Sequence, residues 1–171
     1  MAREKDDFYP TPDTSMIPFF DVEAFEGGVW EPACGQGHMS RMLEGYGYDV
    51  TSTDLVDRGY GQTGVDFLME SELLSPNIVT NPPYKLAQEF IQKAIDLGAR
   101  KHCWLLRIAF LEGVKRFNEL YAHNPPARIY VFSKRQTMWR GDEVPTSSGT
   151  TCYAWFVWLK GFKGTTELDW I

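Results

Sequence analysis

Residues 78–84 read IVTNPPY, and the last four are an unusual way to end an apolar run. An ordinary tight turn carries Asn-Gly or Pro-Gly. Here an amide, two rings without a backbone donor and a phenol follow one another as Asn81, Pro82, Pro83 and Tyr84. The Asn81 side-chain oxygen and the Pro82 carbonyl can both accept hydrogen bonds from one NH2 group, which points to a planar amine as ligand. The plain alternative is a Pro-Pro turn that stops a strand. A second stretch, EPACGQG (Glu31, Pro32, Ala33, Cys34, Gly35, Gln36, Gly37), puts two glycines where a backbone could approach a ligand closely. It lacks the third glycine of the dinucleotide fingerprint, because position 40 is Ser, and it lacks the Gly-Lys-Ser/Thr of a phosphate loop. Asp54, followed by Leu55, lies 17 residues beyond Gly37, and Asp66-Phe67 comes next. A carboxylate at Asp54 can accept from both hydroxyls of a ribose. One at Asp66 can accept from an exocyclic adenine amine, with Phe67 covering an apolar face. Taken singly, the acids read as surface or capping residues and the glycine run as an ordinary loop. Together they suit a nucleoside without a phosphate.

Such residues need strand ends to hold them, and the surrounding pattern supplies candidates. Residues 28–33 read as a short strand, 34–37 as a loop, and 39–44 as a helix broken by the glycines of 45–47. Further strands are expected at 48–55, 65–68, 77–80, 103–110, 128–132 and 152–159. In residues 85–97, Leu86, Phe90, Ile91, Ala94, Ile95 and Leu97 recur at mostly helical spacing, with Gly98 as the C-cap. Residues 112–121 read as a helix stopped by Asn124-Pro125-Pro126. That second Asn-Pro-Pro lacks the aromatic and follows a helix, so it is an internal contrast to 81–84. Strands alternating with helices predict an α/β fold with a mainly parallel sheet. The last two strands have no helix between them and should pair antiparallel as a hairpin. The expectation is seven strands, parallel except for the last, with helices on both faces and ligands at the carboxyl ends of the strands.

A chain of 171 residues suggests a single domain over 1–171, able to bury roughly 70% of its unfolded surface. With 43% hydrophobic and 15% aromatic residues, disorder is excluded. No apolar run approaches the roughly 18 residues of a membrane span, and MAREKDDFYP is no signal peptide, so a soluble cytoplasmic protein with no membrane partner is expected. Cys34, Cys103 and Cys152 lack paired spacing and read as reduced thiols. His102 beside Cys103 would point to the opposite face of a strand, so no metal is expected. The net charge is −6 but unevenly spread. Residues 1–84 hold four basic and 15 acidic residues, a net −11, whereas 85–171 carry +5. Within 100–140 nine basic residues face two acidic ones. The asymmetry reads either as a polyanion-binding surface or as solvated charges that do not converge.

EPACGQG, Asp54, Asp66 and NPPY, in this order, resemble class I S-adenosylmethionine-dependent methyltransferases, with the Rossmann-like fold of that class. The NPPY form is similar to those that methylate the exocyclic amine of adenine, and the short chain resembles the compact adenine-specific DNA methyltransferases common in phages. The likeness covers nearly the whole chain in strand order. It implies S-adenosylmethionine as cofactor, with Glu31, Pro32, Ala33, Cys34, Gly35 and Gly37 along its methionine part, Asp54 and Leu55 at the ribose, and Asp66 with Phe67 at the adenine. Asn81 would border the cofactor as well. The segment Asp7-Phe8-Tyr9-Pro10-Thr11-Pro12 resembles the one that closes over the methionine end, which makes 1–27 an arm over the cofactor and Tyr9 and Thr11 cofactor contacts. Read without the resemblance, it is an extended Pro-rich arm.

In that frame the catalytic residues are Asn81, Pro82, Pro83 and Tyr84. An aromatic amine is a poor nucleophile because its lone pair is delocalised into the ring. Hydrogen bonds to Asn81 and the Pro82 carbonyl favour tetrahedral character and free that pair for in-line attack on the sulfonium methyl, which is positioning and electrostatics without metal or covalent intermediate. The prolines stiffen the segment, and Tyr84 would stack on a base flipped from its duplex. The chain departs from larger relatives of this type in having no room for a target-recognition domain. The loop 136–150 and the basic residues Lys85, Arg107, Lys134, Arg135 and Arg140, with Trp139, are then the candidates for contact with DNA or RNA. The same chemistry would serve an RNA adenine or a protein glutamine amide, and a non-catalytic binding subunit is the third reading. The oligomeric state stays open, a homodimer included.

Overall fold

The computed structural model describes residues 9–138 and 150–171. Twelve helices and strands follow in order: α1 (Asp13–Phe20), β1 (Val29–Glu31), α2 (His38–Gly45), β2 (Val50–Asp54), β3 (Gln62–Thr63), β4 (Asn77–Thr80), α3 (Ala87–Asp96), β5 (Lys101–Arg107), α4 (Val114–Arg116), β6 (Arg128–Val131), β7 (Tyr153–Leu159) and β8 (Glu167–Trp170). Short 3-10 turns precede α3 and follow β5, and α4 continues as a π-helical turn over Phe117–Tyr121.

The strands form one sheet in the order β3-β2-β1-β4-β5-β7-β6-β8. Only β7 runs against its neighbours among the described residues, pairing antiparallel with both β5 and β6. The expected hairpin is therefore present, with Arg128 opposite Val157 and Val131 opposite Ala154. The count differs from expectation: among the described residues there are eight strands, not seven, because β8 adds parallel to β6 at the edge. The third strand is also displaced. The pairing segment is Gln62–Thr63, and Phe67–Met69 forms a 3-10 turn instead. The Asp66 carboxylate causes this by accepting the Leu68 N–H at 3.0 Å, a local bond that competes with sheet pairing. The arm 1–27 holds a helix, α1, directly after the Pro-rich segment, where no element was predicted. Pro12 caps it, where a missing N–H does no harm.

Alternate side chains of the central strands fill two cores. Trp30, Ile78, Trp104 and Phe156 point to the face covered by α3. Val29, Val79, Cys103, Leu105 and Trp155 point to the face covered by α1 and α2. Phe19 of α1 stacks on Trp155 with centroids 4.1 Å apart, which clamps the arm helix to the sheet. The consequence for function lies at the top of the sheet. From β1 the chain goes outward to β2 on one side, and from β4 to β5 on the other. This reversal leaves a crevice at the carboxyl ends of β1 and β4. Glu31 ends β1, Asp54 ends β2 and Asn81 follows β4.

Candidate active site

The crevice holds a cavity of about 450 Å³, lined by Tyr9, Pro10, Thr11, Glu31, Ala33, Cys34, Gln36, His38, Met39, Asp54, Leu55, Val56, Arg58, Asn81, Pro83, Lys85 and Leu86. That size suits a small-molecule or cofactor site. Three strand ends and the arm converge on it, so the residues singled out from widely separated stretches meet in space.

The glycine loop is shaped by Asp54. One carboxylate oxygen accepts the Gly35 N–H and the other the Val56 N–H, both at 2.8 Å. Each oxygen keeps a free lone pair, so the group can still accept hydroxyl donors. Gly37 sits at φ +80°, and a Cβ there would lie 2.4 Å from the Tyr60 ring. Only glycine fits this entry to α2. Glu31 is buried, and its carboxylate accepts from the Ser40 hydroxyl, which is itself 2.6 Å from the Ser52 hydroxyl. No cation pairs with it among the described residues. Burial pushes the Glu31 carboxyl up to about 8, with the Asp54 and Glu44 charges acting in the same direction. Burial also pushes the Cys34 thiol up to about 12, with the Glu31 and Asp54 charges acting in the same direction, which disfavours the thiolate.

Asn81 faces the arm. Its amide nitrogen donates to the Tyr9 carbonyl and to the Thr11 hydroxyl, each at 3.3 Å. Its side-chain oxygen is buried and has no partner. Thr80 Oγ1, the Tyr84 hydroxyl and Arg107 Nε are also buried without a well-formed hydrogen bond, the Tyr84 hydroxyl lying beside the Tyr153 and Asn81 side chains. These three stand at or just past the carboxyl ends of β4 and β5, around the NPPY segment, whereas another such atom, Arg116 Nε, stands apart in the 110–119 segment. Tyr84 lies with its ring 6.0 Å from those of Tyr9 and Tyr153, under the Arg107 guanidinium at 5.1 Å. It does not line the cavity but borders a neighbouring hollow of about 680 Å³ between α3 and the 110–119 segment, as does Lys85. The segment 81–85 is therefore the partition between two concavities.

Some expected residues stand elsewhere. Phe67 is 2% exposed and packs into the core against Trp30 and Phe90, with centroids 5.1 and 4.9 Å apart, so it offers no face to a ligand. One Asp66 carboxylate oxygen caps the turn by accepting the Leu68 N–H. Neither lines the cavity, and Leu55 and Val56 supply the apolar wall beyond Asp54. Pro32, Gly35, Gly37 and Pro82 shape the loops around the cavity without lining it. Gln36, His38, Met39, Val56, Arg58 and Leu86 line it and were not foreseen. Their signal was adjacency: Gln36 stands inside the glycine stretch, and each of the others follows within two residues of a stretch already singled out or opens the helix next to it, save Arg58, four residues past Asp54.

The basic window divides. Arg100, Lys101 and Arg128 lie at the opposite end of the sheet, paired with Glu26 or Glu23. Lys85 and Arg107 flank the NPPY segment. Lys134 and Arg135 are exposed on the stretch after β6, where Gln136 bonds both the Lys134 carbonyl and Thr14 of α1. Trp139, Arg140 and most of the loop 136–150 lie outside the described residues, as do residues 1–8. Among the described residues no group of three or more His, Cys, Asp and Glu could hold a metal ion. His102 accepts the Trp104 indole N–H at 2.7 Å inside the core, and burial holds it down to about 3, a neutral structural imidazole. No described helix is long and apolar enough to cross a membrane.

With this geometry in hand, known structures supply a comparison. The chain is similar to magnesium protoporphyrin IX methyltransferase (ChlM) from Synechocystis PCC 6803, solved with bound SAM, at 13% identity over 86% of this chain and 77% of that one, with a TM-score of 0.58. It is similar to a modification subunit of a putative type I restriction enzyme from Vibrio vulnificus YJ016 at 14% identity and a TM-score of 0.60, covering 95% of this chain but 47% of that one. It is also similar to the 23S rRNA methyltransferase ErmE at 12% identity and a TM-score of 0.55, covering 90% of this chain and 69% of that one. The chain has the class I methyltransferase fold. At these identities the likeness is one of fold. No family model and no curated protein matches the sequence.

Proposed function

We propose that this protein is an S-adenosylmethionine-dependent methyltransferase acting on the exocyclic N6 amine of adenine in DNA. The observation that carries the reading is the state of Asn81: its oxygen is a buried acceptor without a partner, on a residue that lines the same cavity as Glu31 and Asp54. An unpaired buried acceptor is a liability of about 1–3 kcal/mol, which an incoming NH2 donor relieves.

The cavity residues fit the cofactor. Asp54 would take the ribose hydroxyls on its free lone pairs. Glu31, buried without a cation, suits the positive end of the methionine part. Leu55 and Val56 offer an apolar wall to the adenine, and Tyr9, Pro10 and Thr11 close the arm side. When bound, the cofactor supplies an electrophilic methyl group on a sulfonium. Asn81 accepts one amine hydrogen and the Pro82 carbonyl the other, which localises the lone pair on nitrogen. The short, proline-stiffened segment holds both acceptors without a metal ligand or a nucleophilic side chain. Lys85 and Arg107 place cations beside this segment, which supports a polyanionic substrate.

The test is incubation with labelled cofactor and duplex DNA, single-stranded DNA or RNA, followed by digestion to nucleosides. Label in N6-methyldeoxyadenosine is the expected result. Label from RNA alone moves the substrate to RNA, and label in protein alone moves it to a glutamine amide. Failure to bind S-adenosylmethionine by calorimetry removes methyl transfer altogether and leaves a binding subunit. Within the expected result, Asn81→Ala lowers transfer on the order of 10²–10³-fold. The two hydrogen bonds to the arm, about 1 kcal/mol each, bound any loss of cofactor affinity at roughly thirtyfold.

A further inference from the structure

An asparagine that must present its oxygen to a substrate faces an orientation problem. Its side-chain amide is almost symmetric in shape, so a half-turn exchanges the oxygen for the nitrogen. Just past the carboxyl end of β4 the Tyr84 hydroxyl stands beside the amide, but a hydroxyl can donate or accept and so favours neither sense. The amide's two hydrogen-bond partners come from the arm, 72 and 70 residues away in sequence: the Tyr9 carbonyl and the Thr11 hydroxyl, both accepting from Asn81 Nδ2. The Tyr9 carbonyl can only accept, so it repels the flipped amide. The Thr11 hydroxyl accepts from the same nitrogen and adds a second bond to the sense that the Tyr9 carbonyl sets, although a hydroxyl can also donate. With the nitrogen held on the arm, the oxygen is left as the acceptor without a well-formed bond.

We propose that Thr11 is a positioning residue for the reaction, one that together with the Tyr9 carbonyl holds the Asn81 amide so that its oxygen is presented to the acceptor amine. The inference rests on the methyltransferase reading and deepens it. Thr11 is buried, and α1 begins two residues after it, at Asp13. Pro10 fixes its own φ just before it, and Pro12 confines Thr11 to extended backbone. The following helix is anchored by Phe19 on Trp155, by the Ser15 carbonyl accepting the Trp155 indole N–H at 2.8 Å, and by Thr14 donating to Gln136 at 2.8 Å. The latch is thus tied to the far side of the sheet rather than to the loop it orients. Tyr9, Pro10 and Thr11 also line the cavity, so a ligand that orders the arm orders Asn81 with it. The methyl donor should accordingly bind before the amine acceptor.

The decisive variants are Thr11→Val, which keeps the shape and removes the hydroxyl, and Thr11→Ser, which keeps the hydroxyl. Two readouts are combined. The first needs no cofactor: the side-chain NH2 resonances of Asn81 in the free protein. In Thr11→Val one of the two protons shifts upfield and exchanges faster with solvent, and Thr11→Ser restores it. The second is steady-state methyl transfer at saturating cofactor. Thr11→Val lowers kcat roughly tenfold, the rate equivalent of one lost hydrogen bond, and Thr11→Ser recovers most of it. Unchanged Asn81 resonances overturn the proposal. So does a raised dissociation constant for the cofactor with kcat intact at saturation, because Thr11 is then a cofactor contact only. If the wild-type chain transfers no methyl group, the functional reading fails, and the resonances still decide whether Thr11 sets the amide.

Discussion

Two buried glutamates sit at opposite ends of one sheet, and the fold treats them oppositely. Glu23 is 4% exposed beside the amino ends of β5 and β6, and Glu31 is 3% exposed at the carboxyl end of β1. Glu23 has everything a buried carboxylate needs: Lys101 at 2.8 Å, the Arg128 guanidinium, and the Tyr130 hydroxyl at 2.9 Å. Burial pushes its carboxyl up, but the bonds from Arg128 and Lys101 outweigh burial and hold it below the usual carboxylate range. Glu31 receives only the hydroxyl and backbone N–H of Ser40, and burial carries it up to about 8. A carboxylate whose cations come from its own chain holds the fold together. One buried as deeply without a cation is set up to receive one from outside.

The largest effect expected from this contrast is on stability, at Glu23. In Glu23→Ala, Lys101 and Arg128 lose their counter-ion and the Tyr130 hydroxyl its acceptor. Breaking a buried pair costs about 3–5 kcal/mol. Both cations keep some solvent contact, so the loss should be nearer 2–3 kcal/mol. A fall in the urea midpoint with unchanged slope measures it. Cofactor affinity of the folded variant stays at the wild-type value. A loss of affinity with stability intact would erase the distinction between the two ends of the sheet.

Glu31→Gln comes next and works the other way. The folded state holds a proton on Glu31 up to about pH 8, while the unfolded state releases it near 4.5. Wild-type stability should therefore decline as pH rises between those values, by up to a few kcal/mol. Glu23 has the opposite sign, and its contribution is lost in acid. Glutamine keeps the hydrogen bond to Ser40 and cannot ionise, so Glu31→Gln flattens the decline and is the more stable protein at pH 8. Its affinity for the cationic cofactor falls about tenfold or more. Wild-type binding also releases a proton below pH 8, seen by calorimetry in buffers of different ionisation heat, and the variant releases none. Proton release that survives the substitution assigns the titration to another group.

How much of this could be read from the sequence follows from the range of the interactions. The strand ends carrying Glu31, Asp54 and Asn81 were legible because glycine, proline and acid residues punctuate apolar runs locally. The edge strand β8 was not, since all four of its residues are exposed, Trp170 at 64%, and no alternation marks it. α1 was hidden by Pro10, Pro12 and Pro18, although Met16, Phe19 and Phe20 keep helical spacing. Phe67 was misplaced because Asp66 turns the backbone and aims the ring inward, a choice made by one local hydrogen bond. The Asn81 latch and the Glu23 network span 70 to 107 residues, and nothing in the local pattern announces them. The charge surplus of 100–140 was real but divided, with three of its cations spent on Glu23 and Glu26.

The smallest effect tests whether Glu31 is the titrating group at all. Ser40 stands in the first turn of α2, and its hydroxyl donates to the Glu31 carboxylate while lying 2.6 Å from the Ser52 hydroxyl. That donation favours the charged form and is the main force opposing burial. In Ser40→Ala the backbone N–H remains, so the carboxylate keeps one donor and loses the other. A hydrogen bond to a charged group carries about 1.5 kcal/mol, equivalent to roughly one pH unit. The pH at which cofactor affinity levels off should rise by up to about that amount, while affinity well above it stays at the wild-type value. The global stability change should be small, because a protonated Glu31 needs the serine less than an ionised one does. A profile that does not move separates Ser40 from the titration and makes Glu31 merely buried, a second Glu23 without its cations. A profile that moves while Glu31→Gln stays flat ties the pH response of the site to this one carboxyl.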